Sequence, residues 1–383
     1  MMDIGIKPQF YVNGILSATG PSNYGFSITD SIHQVFPELE FALADLSGLS
    51  LELGVFTRGV PLKIILEIED DILESEFVVN CRDNVSQQTH KSIGGNVKVN
   101  GIHKSYTQGR KNCSAYYNKK VSDIVKELFP GVDAENTSAK IAAYQKMEDS
   151  YVWVNNVLLD IADSPTKTPF VFFRDLTGKL TFRSVGDLGA QSPAAKLKLM
   201  QTKKDETDAE IMNLFKPFDE KLTDILDGLA GEGGYFDGLT YKTETVTVTD
   251  SVKDCLSVIS DPVKISRLFF GKQFNPDVDY DAARAGLWTA MLRKGFLSDK
   301  AFAVTPFNGK LVSGQTVDIE VFLQDSDSEP VISEAFSGKW LIEKSKHSWD
   351  GSATAAFTSL VLSRSSYKPV SDSTLPTVSY KGK

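Results

Sequence analysis

Cysteine is scarce: three residues, Cys81, Cys113 and Cys255, occur among 383. None forms a CxxC pair, and three cannot all pair within one chain, so a disulfide framework is not the organising principle. All three read as small buried hydrophobes. Long apolar runs are lacking as well. No stretch approaches the ~18 apolar residues that span a bilayer, and Met1 to Thr19 holds no run of signal-peptide length. A soluble chain made in the cytoplasm, with no membrane contact, is the expectation. The Asn-x-Ser/Thr matches at Asn84, Asn112 and Asn136 carry no meaning there. A basic excess is missing too: 41 Lys and Arg stand against 50 Asp and Glu, a net charge of −9. That balance opposes a main role in gripping nucleic-acid phosphates. Apolar residues at 41% and charged residues at 24% are ordinary globular values, which excludes wholesale disorder.

Motifs for chemistry are also missing. His33, His90, His103 and His347 lie far apart without zinc-ligand spacing. No G-x-S-x-G elbow and no phosphate-cradling G-x-x-x-x-G-K-[ST] loop occurs. Gly228, Gly231, Gly233 and Gly234 have the wrong order for a dinucleotide fingerprint and read as a flexible loop. Asp277-Val278-Asp279-Tyr280-Asp281 opens like a calcium loop. Ala282 then stands where the turn glycine belongs and Trp288 where the bidentate glutamate belongs, so the acids read as the start of a helix. Asp325 to Pro330 reads as a solvated loop. Trp153, Trp288, Trp340 and Trp349 have the chemistry to stack on sugars, yet each fits an apolar position of a helix or strand, and core is the favoured reading. With 50 acids, sequence proximity cannot select a hydrolytic carboxylate pair. The chain is therefore read as non-enzymatic, with no catalytic, cofactor-binding or metal-binding residue assigned.

What the sequence does hold is strand patterning. Residues 1–116 read as a first β-barrel-like module: Lys63 to Glu69 and Asn96 to Asn100 alternate, Glu76 to Asn80 is a further strand, and Gly94-Gly95 signals a turn. Only Ser31 to Phe36 offers a helical alternative. Residues 117–199 read as a small α/β insert. Val121, Ile124, Val125 and Leu128 share a helical face, with Asn118 or Ser122 to cap it and Pro130-Gly131 to stop it. Ser150 to Ala162 is a second helix, striped by Tyr151, Val154, Leu158 and Ile161. Phe170 to Phe173 and Leu180 to Arg183 then flank Asp175-Leu176-Thr177-Gly178 as a hairpin, Gly178 supplying the positive φ. Lys196 to Asp208 reads as a solvated segment and Asp219 to Leu229 as a short helix. Residues 200–365 form a second β-barrel-like module, with strands at Thr243 to Thr249, Val263 to Phe270, Ala301 to Val304 and Thr316 to Val321. Trp340 to Lys344 and Ala355 to Leu362 close it through Asp350-Gly351. A helix at 279–294 interrupts this module. From Arg364 the chain is rich in Ser, Pro and Lys, and 366–383 is an extended tail. The fold class is α+β and mainly β.

Three stretches carry a resemblance. Ser150 to Ala162 with Phe170 to Asp175 and Thr177 to Leu180 is one. Tyr280 to Gly295, Ala301 to Val304 and Leu311-Val312-Ser313-Gly314-Gln315-Thr316-Val317 is another. Phe336 to His347 is the third. In element order the chain resembles the baseplate central hub proteins of contractile-tailed, T-even-like bacteriophages. The resemblance implies two similar barrel-like modules per chain, and a homotrimer forming a pseudo-six-fold ring. Such a ring joins the hexameric tail tube to the trimeric spike, contacts other baseplate proteins and lets DNA pass as cargo; the acidic balance of the chain adds the expectation that carboxylates facing the bore keep passage non-sticky. It places the protein in the virion, within the tail baseplate, after synthesis in the bacterial host. Other readings are a carbohydrate- or receptor-binding tail module, a tail-associated hydrolase, and the hub half of a type VI secretion spike.

Overall fold

A computed structural model of the protein describes residues 6–17, 20, 23–45, 55–68, 71–89, 92–109, 111–138, 140–162, 168–199, 209–211, 213–215, 230–237, 242–248, 264–271, 299–323, 331–333, 337–351, 353 and 355–364. The N-terminal strands are β1 (Ile6–Val12), β2 (Ile15–Leu16), β3 (Tyr24–Ser31), β4 (Glu38–Asp45), β5 (Pro61–Ile68), β6 (Asp71–Thr89) and β7 (Ser92–His103). The middle of the chain holds β8 (Lys111–Lys120), α1 (Val121–Leu128), β9 (Asp133–Ala134) and β10 (Lys140–Asp149). After these comes a helix, α2, that runs through Ser150–Trp153, a π turn at Val154–Leu158 and Leu159–Ile161, followed by β11 (Phe170–Arg174), β12 (Leu180–Ser184) and α3 (Val185–Ala190). The C-terminal strands are β13 (Ala195–Leu199), β14 (Ala209–Ile211), β15 (Asn213–Phe215), β16 (Ala230–Asp237), β17 (Lys242–Val248), β18 (Lys264–Gly271), β19 (Asp299–Pro306), β20 (Thr316–Glu320), β21 (Phe322–Leu323), β22 (Val331–Ile332), β23 (Gly338–Asp350) and β24 (Ala355–Arg364). The class is mainly β, as the alternation predicts.

One large sheet runs β14-β13-β20-β23-β3-β4-β7-β6-β5-β1-β2, with β24, β19 and β15 branching from β23. Its N-terminal half is antiparallel and curls until β1 faces β3 across the core: the Tyr24 hydroxyl donates to the Pro8 carbonyl at 2.8 Å, and the Tyr24 and Phe10 rings meet at 4.8 Å. Period-two alternation fills that core. Tyr24, Phe26 and Ile28 of β3, Leu39, Phe41 and Leu43 of β4, and Leu62, Ile64 and Leu66 of β5 are all buried together. Each such side chain stabilises the fold by about 1.5–3 kcal/mol through the apolar surface it removes from water. In the C-terminal half, β14 pairs with β13 while β15 pairs with β19. These two short strands therefore extend the two ends of the series β13-β20-β23-β24-β19, which packs around Leu197, Ile211, Val317, Ile319, Trp340, Ile342, Leu360 and Leu362.

The middle segment builds its own core. Val121, Ile124 and Val125 of α1 pack with Trp153, Val154 and Leu158 of α2 and with Phe170, Phe172 and Phe182 of the hairpin. Gly178 takes the left-handed conformation expected of it, φ +86°. The start of α1 differs from expectation. Its N-cap is Lys120, with no side-chain cap; Ser122 and Thr137 instead exchange hydrogen bonds at 3.2 Å, and Asn118 sits at φ +52° in a bulge of β8. The π turn in α2 has no sequence signal.

Several expectations are corrected. Gly94 and Gly95 are not a turn; they lie inside β7, paired with Gln87 and Ser86. Ser31 to Phe36 forms turns without a helix, Gln34 N–H donating to Ser31 O at 3.1 Å. The stretch from Lys196 begins as strand β13, because Leu197 is buried in the C-terminal core. Gly231, Gly233 and Gly234 are strand residues of β16, paired with β17 and β18 on its two edges. Arg364 is the last residue of β24, its guanidinium 4.2 Å from the Trp340 ring, so the tail begins after it. The helices expected at 219–229 and 279–294 lie outside the described residues, as do the loop 325–330 and the tail 366–383. No helix among the described residues is long and apolar enough to cross a membrane.

Between β19 and β20 the chain passes through Ser313-Gly314, part of the turn motif that carried the resemblance. Gly314 has φ +81°, and a Cβ there would overlap the Phe173 ring of β11. Both backbone and space therefore require glycine. Gly314→Ala is expected to lower the unfolding free energy by about 2–4 kcal/mol in equilibrium urea unfolding, from overpacking plus left-handed strain. A change below about 0.5 kcal/mol, the size of an ordinary surface substitution, would contradict this packing.

Candidate functional site

The residues with unusual chemistry meet where β23 serves both halves of the sheet. One edge of β23 pairs with β24 along most of its length. Its other edge pairs first with β20 over Gly338 to Leu341 and then with β3 over Lys344 to Trp349. At the changeover a bulge falls at Glu343. Gly314 N–H donates to Ile342 O at 2.8 Å, Ile342 N–H to Gln315 O at 2.8 Å, and Ile32 N–H to Glu343 O at 3.0 Å, so the backbone stays paired through the switch.

Asp30, inward on β3 and fully buried, is the centre of this junction. Its Oδ2 accepts from Leu176 N at 3.3 Å, Ser313 N at 3.1 Å and Ser313 Oγ at 3.0 Å; its Oδ1 accepts from Ser345 Oγ. Three separate segments, the β11–β12 turn, the β19–β20 connection and β23, thus converge on one carboxylate. Burial pushes the Asp30 carboxyl up to about 6, against the Ser345 and Ser313 hydrogen bonds that favour its charged form; nearby Asp175 adds to the rise.

His347 continues the network and is also fully buried. Its Nε2 lies 3.1 Å from Leu311 O and 3.3 Å from Ser345 Oγ, and its Nδ1 lies 3.1 Å from Thr358 Oγ1. A carbonyl can only accept, so the proton belongs on Nε2, and Thr358 Oγ1 donates to Nδ1. Burial drives the imidazole down to about 4, keeping it neutral at physiological pH. Ser345 has one proton, and it points at Asp30.

An Asp, a Ser and a His in contact invite comparison with a nucleophilic triad, but the order is wrong. An activated serine donates its proton to the imidazole, which the carboxylate orients from the far side. Here serine sits between the other two, donates to the acid, and is itself sealed from solvent. The network is a structural clamp.

Beside it, the bulge residue Glu343 is held by Lys300 of β19, whose Nζ is 2.8 Å from both carboxylate oxygens, and by His33 Nε2 at 2.8 Å. Burial would raise this carboxyl, but the hydrogen bonds from His33 and Lys300 and the lysine charge outweigh it and hold it down at about 2. A small apolar cluster, Ile32, Val171, Phe173, Val185, Leu188 and Leu341, seals the middle segment against the same place.

The histidines noted in the sequence therefore divide. His347 and His33 take part in the junction. His103 is buried elsewhere, its imidazole lowered to about 4 by burial and by the Arg174 and Lys104 charges, and His90 lies outside the described residues. Trp153, Trp340 and Trp349 are all buried in cores, and Trp288 is outside the described residues. Cys81 and Cys113 are exposed, not buried as expected, because each falls on the outward face of its strand; Cys255 is not described. The acids at 277–281 are not described either. Among the described residues no group of three or more His, Cys, Asp and Glu side chains is placed to hold a metal ion. The sequence reading missed Asp30 although a signal was available: it continues the inward series Tyr24, Phe26, Ile28, where a carboxylate needs donors from elsewhere.

The clamp has a pH signature. Asp30, raised above its usual value, contributes stability that is full below about pH 4 and lost as pH rises through about 6. His347 and His103, lowered, contribute stability present above about pH 6.5 and lost as pH falls through about 4. The aspartate therefore offsets one histidine over the same window. In Asp30→Asn the offset is gone, so unfolding free energy should fall more steeply from pH 7 to pH 4 than in the wild type, by on the order of 3 kcal/mol. Parallel profiles for the two proteins would contradict the buried, titrating carboxylate.

No family model matches the sequence, and no curated protein matches it. Solved structures do. A tail protein from Neisseria meningitidis MC58 superposes with a TM-score of 0.55 at 9% identity, over 94% of this chain and 96% of that one. The 43 kDa tail protein of prophage MuSo2 from Shewanella oneidensis superposes with a TM-score of 0.58 at 13% identity, over 93% of this chain and 98% of its own. Over nearly its whole length, this chain shares the fold of these phage tail proteins.

Proposed function

We propose that the chain is a structural hub of a phage-tail baseplate, acting as a homotrimer. In this reading three copies close a ring with six barrel-like halves, one face meeting the six-fold tail tube and the other a three-fold spike, with DNA passing through the bore. The observation that carries it is the end-to-end likeness to two phage tail proteins, which leaves no large part of either chain unaccounted for. The internal architecture supports it. Two strand-built halves fixed by one shared strand form a stiff unit, and a stiff unit with two similar docking surfaces suits a ring that must satisfy two symmetries. The net charge of −9 suits a bore that does not retain DNA. Placement in the virion and contacts with further baseplate proteins belong to the same proposal.

The sugar-stacking reading loses its main support, and a serine nucleophile at the junction has none. Stacking on sugars needs exposed rings, and the three described tryptophans are buried. Serine hydrolysis needs a hydroxyl that reaches substrate, and Ser345 does not.

Light scattering after size exclusion tests the proposal. The expected mass is three times 42.1 kDa, alone or on addition of a trimeric spike protein, with ring-shaped particles by negative-stain microscopy. A chain that remains monomeric under both conditions and binds glycans or degrades peptidoglycan would contradict it.

A further inference from the structure

Antiparallel strands β8 and β10 form a two-stranded ribbon with one face in a core and one in solvent. Tyr116, Ile141 and Ala143 are buried against the helices. The outward face carries Lys111, Cys113, Ala115, Tyr117 and Lys120 of β8 and Lys140, Tyr144 and Lys146 of β10. No acid stands among them. Of the two acids on these strands, Glu148 is half-buried, and Asp149, opposite Lys111, caps α2, its Oδ1 accepting from Tyr151 N at 2.8 Å. Lys119 is matched by Glu127 at 2.5 Å, whereas among the described residues Lys111, Lys120, Lys140 and Lys146 have no acidic partner. Lys120 and Lys140 stand directly opposite each other in the register, an arrangement of like charges that costs stability.

Aromatic residues lie between the lysines. Tyr117 is 64% and Tyr144 51% exposed. Tyr144 pairs across the ribbon with Ala115, and its hydroxyl lies 3.2 Å from the thiol of Cys113, two residues away on β8. The ring therefore leans over the small alanine and along the ribbon, one side toward the strands and the other toward solvent. Next to Lys146, Met147 holds a left-handed φ of +52° at a bulge and is 70% exposed, so strained backbone keeps a polarisable thioether beside this face. Unmatched lysines at both ends, with open rings between them, have the chemistry of a single-strand platform: cations follow the phosphates, and the rings stack on bases of any sequence.

We propose that the outward face of the β8–β10 ribbon binds single-stranded nucleic acid through its phosphates and bases, blind to sequence and to sugar. Lys111 and Lys146 hold phosphates at one end, Lys120 and Lys140 at the other, and Tyr117 and Tyr144 stack on bases between them. Ten residues per strand give a track about 33 Å long, which suits a short strand. A duplex fits poorly, because its bases are already stacked on one another. An acidic protein would satisfy the lysines as well, but a protein partner takes its aromatic anchors into pockets, whereas a ring leaning along the ribbon offers a face. The chain as a whole carries a net charge of −9, so the contact is local and sensitive to salt. The site would be present whether or not three copies assemble.

Fluorescence anisotropy tests this with the full-length chain and labelled oligo-dT and oligo-rU of about twelve nucleotides, within the ~4–16 that such sites hold. Both should bind saturably and alike, and log affinity should fall with log salt at a slope near about −2.8, or ~−0.7 for each of four lysines. Lys111→Gln with Lys146→Gln should flatten that slope by about 1.4. Tyr117→Ala and Tyr144→Ala should each weaken binding about fivefold or more, the low end of base–aromatic stacking, while Tyr117→Phe, which keeps the ring, should bind as the wild type does. Thermal unfolding of the same variants separates lost binding from a lost fold. A duplex of equal length and a poly-glutamate of equal charge should compete poorly. Absence of saturable binding up to about 1 mM chain, beyond the range of non-specific contacts, overturns the proposal. So do affinities that the lysine and tyrosine substitutions leave unchanged, or a preference above about tenfold between the two sugars, since tenfold is ~1.4 kcal/mol, the worth of a specific contact. Poly-glutamate competing as well as oligo-dT overturns it in favour of an acidic protein.

Discussion

Strand β23 is thirteen residues long and serves two cores at once, and that sharing constrains the rest of the molecule. A regular strand shows alternate residues to one side, so it can line only one core per face. The bulge at Glu343 adds a single residue and changes the parity. Before it, Trp340 and Ile342 enter the C-terminal core; beyond it, Ser345, His347 and Trp349 are buried, with Trp349 in the N-terminal core. Neighbouring chain must follow the switch, which is why β20 and β3 lie one after the other along the same edge and why the backbone of Gly314 and Gln315 fills the step between them.

The switch also explains the buried polar groups. At the meeting point of three cores the side chains cannot all be apolar, because irregular backbone there presents N–H groups that need acceptors. Leu176 and Ser313 are such donors, and Asp30 accepts from both. Removing the carboxylate would leave those donors unmatched in a dry interior, a larger penalty than the network's net gain. The clamp thus specifies geometry more than it adds stability. In the proposed ring this would be the useful property: the angle between the two halves would set where neighbours meet, and the Asp30 clamp holds one angle.

Much of the fold was legible. Strand patterns located eleven of the twenty-four described strands, and the hairpin at 170–184 followed from Gly178 and its flanking apolar residues. The Ser313-Gly314 motif was noted as a turn, but its role was hidden, since its partners Asp30 and Phe173 are each more than a hundred residues away in sequence. Long-range convergence of that kind has no local signature. The same reason hid the pairing of β3 with β23, which joins the first and last parts of the described chain in one sheet. Local rules misled where sheet context overrode them: Gly94-Gly95 and glycines 231, 233 and 234 read as breaks, yet the pairing of β7 with β6 and of β16 with β17 and β18 accommodates them. The exposed cysteines were missed because composition was used where strand register decides.

Joined through β23 and the Asp30 clamp, the two barrel-like halves should unfold as one cooperative unit. Native-state hydrogen exchange reads this directly at the amides of Ile32, Ser313 and Ile342, whose hydrogen bonds cross the junction. They are expected to exchange only with global unfolding, at the same free energy as core amides of β4 and β24. Fast exchange at the junction, with the halves protected at two separate free energies, would contradict it.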